Sequence, residues 1–191
     1  MAVRVSTLFC IVAAAIIQIP ETQSKPISQT RYDAWEELKD RFGQKYYLVQ
    51  RSYEVDTKLG GRASCVSVLK LNQVFGEHSI NAQITIKQNR HGDVPTNKNV
   101  RMTAYTPAGE RTEYMIKTTD RETMTVLFIQ ELVFADRQTC RVLVHTTQGV
   151  KHCQLWAHHR AASSGLRGCK DEYSKYCSAI HSIFKPECLN M

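Results

Sequence analysis

The spacing of apolar positions divides the chain into three parts. Between about 30 and 43, in "TRYDAWEELKDRFG", apolar residues recur at helical spacing. From 45 to about 158 they fall in short runs that alternate with polar residues, separated by turn signals such as "KLGG", "FGEH" and "TQG". Helical spacing returns in "GCKDEYSKYCSAIHSIF". The pattern therefore predicts a short helix, a long β region and a C-terminal helix at about 169–184.

The β region contains eight predicted strands joined by short turns. They lie near 45–54, 63–74, 79–88, 98–106, 111–118, 123–133, 138–146 and 150–158. Short connections favour an up-and-down antiparallel barrel, which closes on itself and leaves no free edge. A sandwich, the alternative, needs longer crossing connections. An eight-stranded barrel has an interior that can hold one small ligand.

The N-terminus has the pattern of a signal peptide. Arg4 precedes the apolar run "LFCIVAAAII", and Thr22 and Ser24 offer small residues before a cut. We therefore expect residues 1–24 to be removed, leaving 25–191 as a single secreted, extracellular domain. The apolar run is shorter than a typical membrane-spanning helix, and no membrane partner is expected.

Cysteine content agrees with export. The chain has seven cysteines, and Cys10 leaves with the predicted signal peptide. The six that remain suggest three disulfides in an oxidising compartment, although their pairing stays open at this point. No C-x-x-C pair is present, so a metal site is not expected.

Charge and motifs exclude several functional classes. The formal net charge is +7, but basic residues are interspersed with acids, which indicates a solvated basic surface rather than a nucleic-acid site. The chain has no G-x-S-x-G, H-E-x-x-H or P-loop motif. We expect a monomeric binding protein with no catalytic residues and no cofactor.

Several segments resemble one known family. The stretches "DAWEELKDRF", "YYLVQRSYEVD", "GGRASCV", "QLW", "GCKDEYSKYC" and "PECLNM" are similar to the tick salivary lipocalins of the histamine-binding family. The resemblance implies an eight-stranded lipocalin barrel between about 45 and 158, with a short N-terminal helix and a disulfide-stapled C-terminal helix. It also implies the disulfides Cys65–Cys188 and Cys140–Cys169, which leaves Cys153 and Cys177 for the third.

The same resemblance implies a site for histamine or another biogenic amine. Tyr53 and Asp56 match positions at which the family holds a protonated amine between carboxylates and aromatic rings, and Glu131 stands where the family has an inward carboxylate. Trp156 is the fourth candidate for this site. Asp56 has an alternative role, since Asp often caps a turn. The chain departs from the family where Leu59 replaces an aromatic residue, and where Arg141 and Gln154 replace acids.

Two further functions remain open. Strand alternation places Tyr47, Val49 and Arg51 on the same face as Tyr53, and Arg141 is expected to point inward as well. Two inward arginines suit an anionic lipid mediator, such as a fatty acid or an eicosanoid, although Arg51 could instead pair with an acid such as Glu131 or Glu113. A host protein bound by the outer surface, for example through the loop "KQNRHGDVPTNKN", is the third hypothesis.

Overall fold

Eight consecutive antiparallel strands close into a barrel in the computed structural model, which describes residues 31–41, 44–88, 94–136 and 138–191. The predicted signal peptide lies outside the described residues. The strands are β1 Tyr46–Arg51, β2 Cys65–Gln73, β3 Ser79–Lys87, β4 Thr96–Tyr105, β5 Met115–Asp120, β6 Val126–Asp136, β7 Cys140–Thr147 and β8 Val150–His158. Each pairs with the next in sequence, and β8 and β2 both pair with β1. The prediction of an up-and-down barrel is confirmed.

The N-terminal helix packs across one end of the barrel. A short α-helix, α1 (Ala34–Glu36), continues into a π-helical segment, Glu37–Arg41. Asp33 caps α1 by accepting a hydrogen bond from the backbone N–H of Glu36 at 2.9 Å. Leu38 is fully buried in the inner core cluster. We call this the closed end, and we call the opposite end, where β1 turns into β2, the mouth.

The C-terminal segment is less helical than the sequence predicts. The second helix, α2 (Arg167–Ser174), ends ten residues before the predicted boundary at 184. A two-residue strand, β9 (His181–Ser182), then pairs with β1, and a 3-10 helix follows at Pro186–Asn190. The helical spacing in the sequence is therefore overridden by pairing with β1, and by a hydrogen bond from the Tyr173 hydroxyl to the Ala179 carbonyl at 2.8 Å.

Three disulfides attach this C-terminal segment to the outside of the barrel. The pairs are Cys65–Cys188, Cys140–Cys169 and Cys153–Cys177, the pairing that the resemblance implies. They form part of an outer core cluster that packs under α2 and contains the fully buried Tyr173. Burial raises the pKa of Tyr173 to about 12. No described helix is long and apolar enough to cross a membrane.

A β-bulge in β1 decides which of its residues face the barrel interior. The register between β1 and β8 shifts between Leu48 and Gln50. Leu48 pairs with Trp156 in the inner core cluster, whereas Tyr47 lies in the outer cluster and Val49 packs against it. Arg51, beyond the bulge, pairs with the inward-facing Gln154. The expectation that Tyr47 and Val49 share an inward face with Arg51 and Tyr53 was therefore wrong, because the extra residue of a bulge reverses the alternation beyond it.

Candidate functional site: the barrel mouth and its interior

Asp56 organises the turn at the mouth. It caps a 3-10 helix at Thr57–Leu59, and its Oδ1 accepts hydrogen bonds from the N–H groups of Lys58 at 2.9 Å and Leu59 at 3.1 Å. Its Oδ2 accepts a hydrogen bond from the Tyr53 hydroxyl at 2.9 Å. Gly60 then ends the turn with φ of +79°, a left-handed conformation that glycine adopts without strain. The predicted capping role is confirmed, and it occupies one of the two carboxylate oxygens.

Arg51 is fully buried beside Asp56. Its Nε donates to the Tyr53 carbonyl at 2.9 Å, and its Nη2 donates to the carbonyls of Glu54 and Gly61, each at 2.7 Å. Its Nη1 lies 4.0 Å from Oδ2 of Asp56. Burial lowers the pKa of Arg51, and the Asp56 carboxylate opposes that effect. Arg51 therefore fixes the loop between β1 and β2 and already neutralises Asp56.

A chain of side-chain hydrogen bonds leads from Asp56 into the barrel. The Tyr53 hydroxyl, which donates to Asp56, accepts a hydrogen bond from Nε2 of Gln154 at 2.6 Å. Oε1 of Gln154 accepts from Nε2 of Gln130 and from the Trp156 indole, both at 3.0 Å. Gln154 therefore connects three of the predicted site residues, Tyr53, Asp56 and Trp156. In the sequence, Gln154 stood out only because it replaces an acid of the family.

The barrel interior contains a small cavity at the end of this chain. Its polar lining comes from Thr118, Gln130, Arg141, Gln154 and Trp156, and its apolar lining from Leu59, Val68, Ile84, Met102, Phe128 and Leu143. The volume open to the centre of a water-sized sphere is about 20 Å³, room for roughly one water molecule. No carboxylate is among these described lining residues. A larger ligand requires the lining side chains to move apart.

Arg141 lies on the inner face, as the sequence predicts. Its guanidinium carbon is 4.5 Å from the centre of the Tyr46 ring and 5.9 Å from that of Trp156. Its Nη1 lies 3.8 Å from Oε1 of Glu37, a fully buried carboxylate of the π-helical segment. Burial lowers the pKa of Arg141, and Glu37 opposes that effect. The closed end thus has its own buried ion pair, whose acid the sequence analysis missed.

Glu131 is not part of this site. Its side chain is 40% exposed on the outer face of β6, and its Oε1 lies 2.7 Å from Nη1 of Arg31. Gln130, one residue earlier, faces inward instead. The expectation that Glu131 points inward was therefore wrong by one position, and a shift of one residue reverses the face of a strand.

Two histidines complete the mouth. His145 on β7 and His152 on β8 are direct cross-strand partners, and their rings stack with centres 4.9 Å apart at an interplanar angle of 24°. Both rings meet Tyr53 edge to face, at 5.8 Å for His145 and 5.4 Å for His152. Burial, then His152 and Lys58, lower the pKa of His145 to about 4. Within the described residues, no three metal-ligating side chains come together.

A signal for this histidine pair was present in the sequence. The turn "TQG" was predicted, and a two-residue turn at Gln148 and Gly149 places His145 opposite His152 by counting outward. Both turn residues have positive φ, 51° and 78°. The buried Glu37 had no comparable signal, because on a helix its position resembles that of a solvated acid.

Comparisons with known proteins agree with this architecture. A sequence model described as "tick histamine binding protein" matches residues 22–190. A comparison with curated protein sequences gave no match. A solved structure of Japanin from Rhipicephalus appendiculatus bound to cholesterol is 16% identical, with a TM-score of 0.58, over 76% of this chain and 95% of that chain. Lobster apocrustacyanin A1 is 11% identical, with a TM-score of 0.53, over 79% of this chain and 83% of that chain. At these identities the two structures show that the fold is a lipocalin barrel.

Proposed function

Because this chain belongs to the tick histamine binding protein family, we propose that it is a secreted lipocalin that sequesters a small host mediator in its barrel without chemically changing it. The ligand that we favour is mainly apolar and carries one oxygen-bearing, anionic head, as a fatty acid or an eicosanoid does. The family and the three disulfides support secretion.

The lining of the cavity carries this proposal. A protonated amine needs a carboxylate partner when it is buried, because an unpaired buried cation is very costly. The described lining offers Arg141, two amide side chains and a hydroxyl, surrounded by apolar residues. Arg141 can form charge-assisted hydrogen bonds with a carboxylate head, while the amides of Gln130 and Gln154 accept or donate as the ligand requires.

Histamine remains the second candidate, supported by one observation at the mouth. The Asp56 carboxylate accepts from Tyr53, whose ring lies against His145 and His152. Aromatic faces and a carboxylate are the groups that hold an organic ammonium ion. An amine at this position must compete for Asp56 with Arg51, with the Tyr53 hydroxyl and with two backbone N–H groups, which argues for weak binding.

The test is a pair of calorimetric titrations of the oxidised protein, one with arachidonic acid and one with histamine. Arg141→Gln should weaken arachidonate binding by about tenfold or more, the usual cost of a charge-assisted hydrogen bond, and leave histamine binding nearly unchanged. Asp56→Asn should weaken histamine binding and leave arachidonate binding nearly unchanged. Gln130→Leu, which leaves both buried ion pairs intact, is a second cavity variant in case Arg141→Gln fails to fold.

Three outcomes separate the hypotheses. Saturable arachidonate binding that depends on Arg141 supports the favoured ligand class. Histamine binding that depends on Asp56 replaces it with the amine. Heat in neither titration rejects both barrel ligands and leaves the outer surface, and a host protein partner, as the hypothesis to pursue.

A further inference from the structure

The two histidines at the mouth have a position that ligand binding alone does not explain. They project from paired positions of β7 and β8, on the same inner face as Leu143 and Gln154, one step closer to the mouth. Nδ1 of His145 is buried and has no hydrogen-bond partner within the described residues. An imidazole in that position is tolerated as a neutral ring, but not readily as a cation.

The histidine pair supports Tyr53, and Tyr53 supports the cavity. Both imidazoles pack against the edge or face of the Tyr53 ring. The Tyr53 hydroxyl in turn holds Gln154, which lines the cavity and orients Gln130 and Trp156. Tyr53 thus links the imidazole stack to the cavity lining, because it contacts both rings and also holds Gln154.

The charges that face His145 determine how it responds to acid. His152 and Lys58 oppose its protonation, whereas Asp56 favours it. The Asp56 carboxylate, however, already accepts from Tyr53 and from the backbone, and Arg51 lies beside it. Lys58 is held near the pair by a hydrogen bond to the Leu127 carbonyl at 2.6 Å, with its Nζ 5.0 Å from the centre of the Phe128 ring. A proton added to His145 is therefore opposed by the positive charge of Lys58, and the one carboxylate that favours it, Asp56, already has other partners.

We propose that His145, stacked on His152, positions Tyr53 at the mouth only while the His145 ring is uncharged, so that mild acid separates the stack, frees Tyr53 and weakens the retention of a barrel ligand. The pair is a positioning device, since neither ring is among the residues that line the cavity. The ligand-release half of this inference rests on the proposed barrel function. The coupling between His145 and Tyr53 does not.

The coupling is tested first on the ligand-free protein by NMR between pH 7.5 and pH 3. The imidazole resonances of His145, the ring resonances of Tyr53 and the side-chain amide of Gln154 should move with one common midpoint. His145→Phe keeps an aromatic ring on β7 and removes its titration, so it should abolish the response of Tyr53. His78→Gln, which removes an imidazole near Trp35 at the closed end, is the matched control and should leave the response intact.

Ligand retention is then measured with the methyl ester of cis-parinaric acid, a fluorescent fatty-acid derivative whose own charge does not change in this range. Its dissociation constant should rise by about threefold or more from pH 7 to pH 4.5 in the unmodified protein and by less than about half that factor in His145→Phe. Separate midpoints for His145 and Tyr53, or a persisting Tyr53 response in His145→Phe, would overturn the inference. A Tyr53 response without binding of the ester at any pH would instead refute the ligand-release half while sustaining the coupling, and the proposed function itself fails only if arachidonate and histamine do not bind either.

Discussion

Arg51 and Arg141 are both buried arginines beside a single carboxylate, yet they have different surroundings. Arg51, near the mouth, donates to three backbone carbonyls of the loop between β1 and β2. Arg141, toward the closed end, has its guanidinium near two aromatic rings and lines the cavity. The first arginine fixes the loop between β1 and β2, whereas the second presents its charge to the cavity in the barrel.

The difference shows why a buried charge is not by itself evidence for a binding site. The guanidinium of Arg51 is directed at backbone acceptors, and backbone carbonyls in a loop otherwise need water. Arg141 faces apolar and aromatic groups, and the low dielectric constant of these surroundings strengthens its attraction for an anion. Four experiments test how the mouth, the closed end and the outer face of the barrel differ.

Replacing Arg51 should have the largest effect. Arg51→Met leaves Asp56 as a buried carboxylate and removes the donors to three loop carbonyls, so the free energy of unfolding should fall by about 3–5 kcal/mol. Urea denaturation followed by tryptophan fluorescence measures the change. Arg62→Gln is the control, because that arginine is exposed and pairs with an exposed Glu54 at 3.2 Å; it should cost less than about 1 kcal/mol. A loss below about 1 kcal/mol for Arg51→Met would contradict the loop-fixing role.

Mild acid should lower the free energy of unfolding through His145. Its pKa in the folded protein is about 4, lowered from 6.5, so between these values the unfolded chain binds a proton that the folded protein excludes. The associated stability is present above pH 6.5 and is lost as the pH falls toward 4. Allowing for partial exposure, the loss should be about 1–2 kcal/mol greater in the unmodified protein than in His145→Phe. Urea denaturation at pH 7 and pH 4.5 gives the comparison, and equal losses in both proteins would exclude His145 as the cause.

Neutralising both charges at the closed end should separate stability from binding. The double variant Arg141→Met and Glu37→Gln removes a buried ion pair together rather than leaving one charge behind, so stability should change by less than about 2 kcal/mol in either direction. Affinity for a fatty acid should nevertheless fall, while affinity for its methyl ester stays nearly constant. If the affinities for the acid and the ester fall equally, Arg141 contributes to binding through its shape and not through its charge.

Glu131 should show the smallest effect. It forms a surface ion pair with Arg31, and such pairs contribute little. Glu131→Gln should reduce stability by less than about 1 kcal/mol and leave the binding of both ligand classes unchanged in calorimetry. A large loss of histamine affinity in this variant would return Glu131 to the site from which its position excludes it.

The sequence predicted the barrel better than it predicted the inward-facing residues. Strand order depends on many alternating positions and short turns, so an error of one or two residues at a boundary does not change it. The direction of one side chain depends on a single count. The bulge between Leu48 and Gln50 reversed the expected face of Tyr47. The match to the family pattern placed Glu131 inside, where the neighbouring Gln130 lies instead.

Other parts of the site could not be predicted because they come from distant segments. Glu37 reaches Arg141 only after the N-terminal helix packs across the barrel end. Gln154 connects Tyr53 with Gln130 across strands that are far apart in sequence. The capping role of Asp56, by contrast, depends on residues within three positions of it, so the local sequence already indicated it.

The disulfides between the barrel and the C-terminal segment also bear on survival among proteases. Cys65 and Cys188 are 123 positions apart and enclose the four other paired cysteines. A single cleavage of the backbone anywhere between them leaves the two fragments covalently joined. A nicked molecule should thus run as one species on a non-reducing gel and separate into fragments only after reduction.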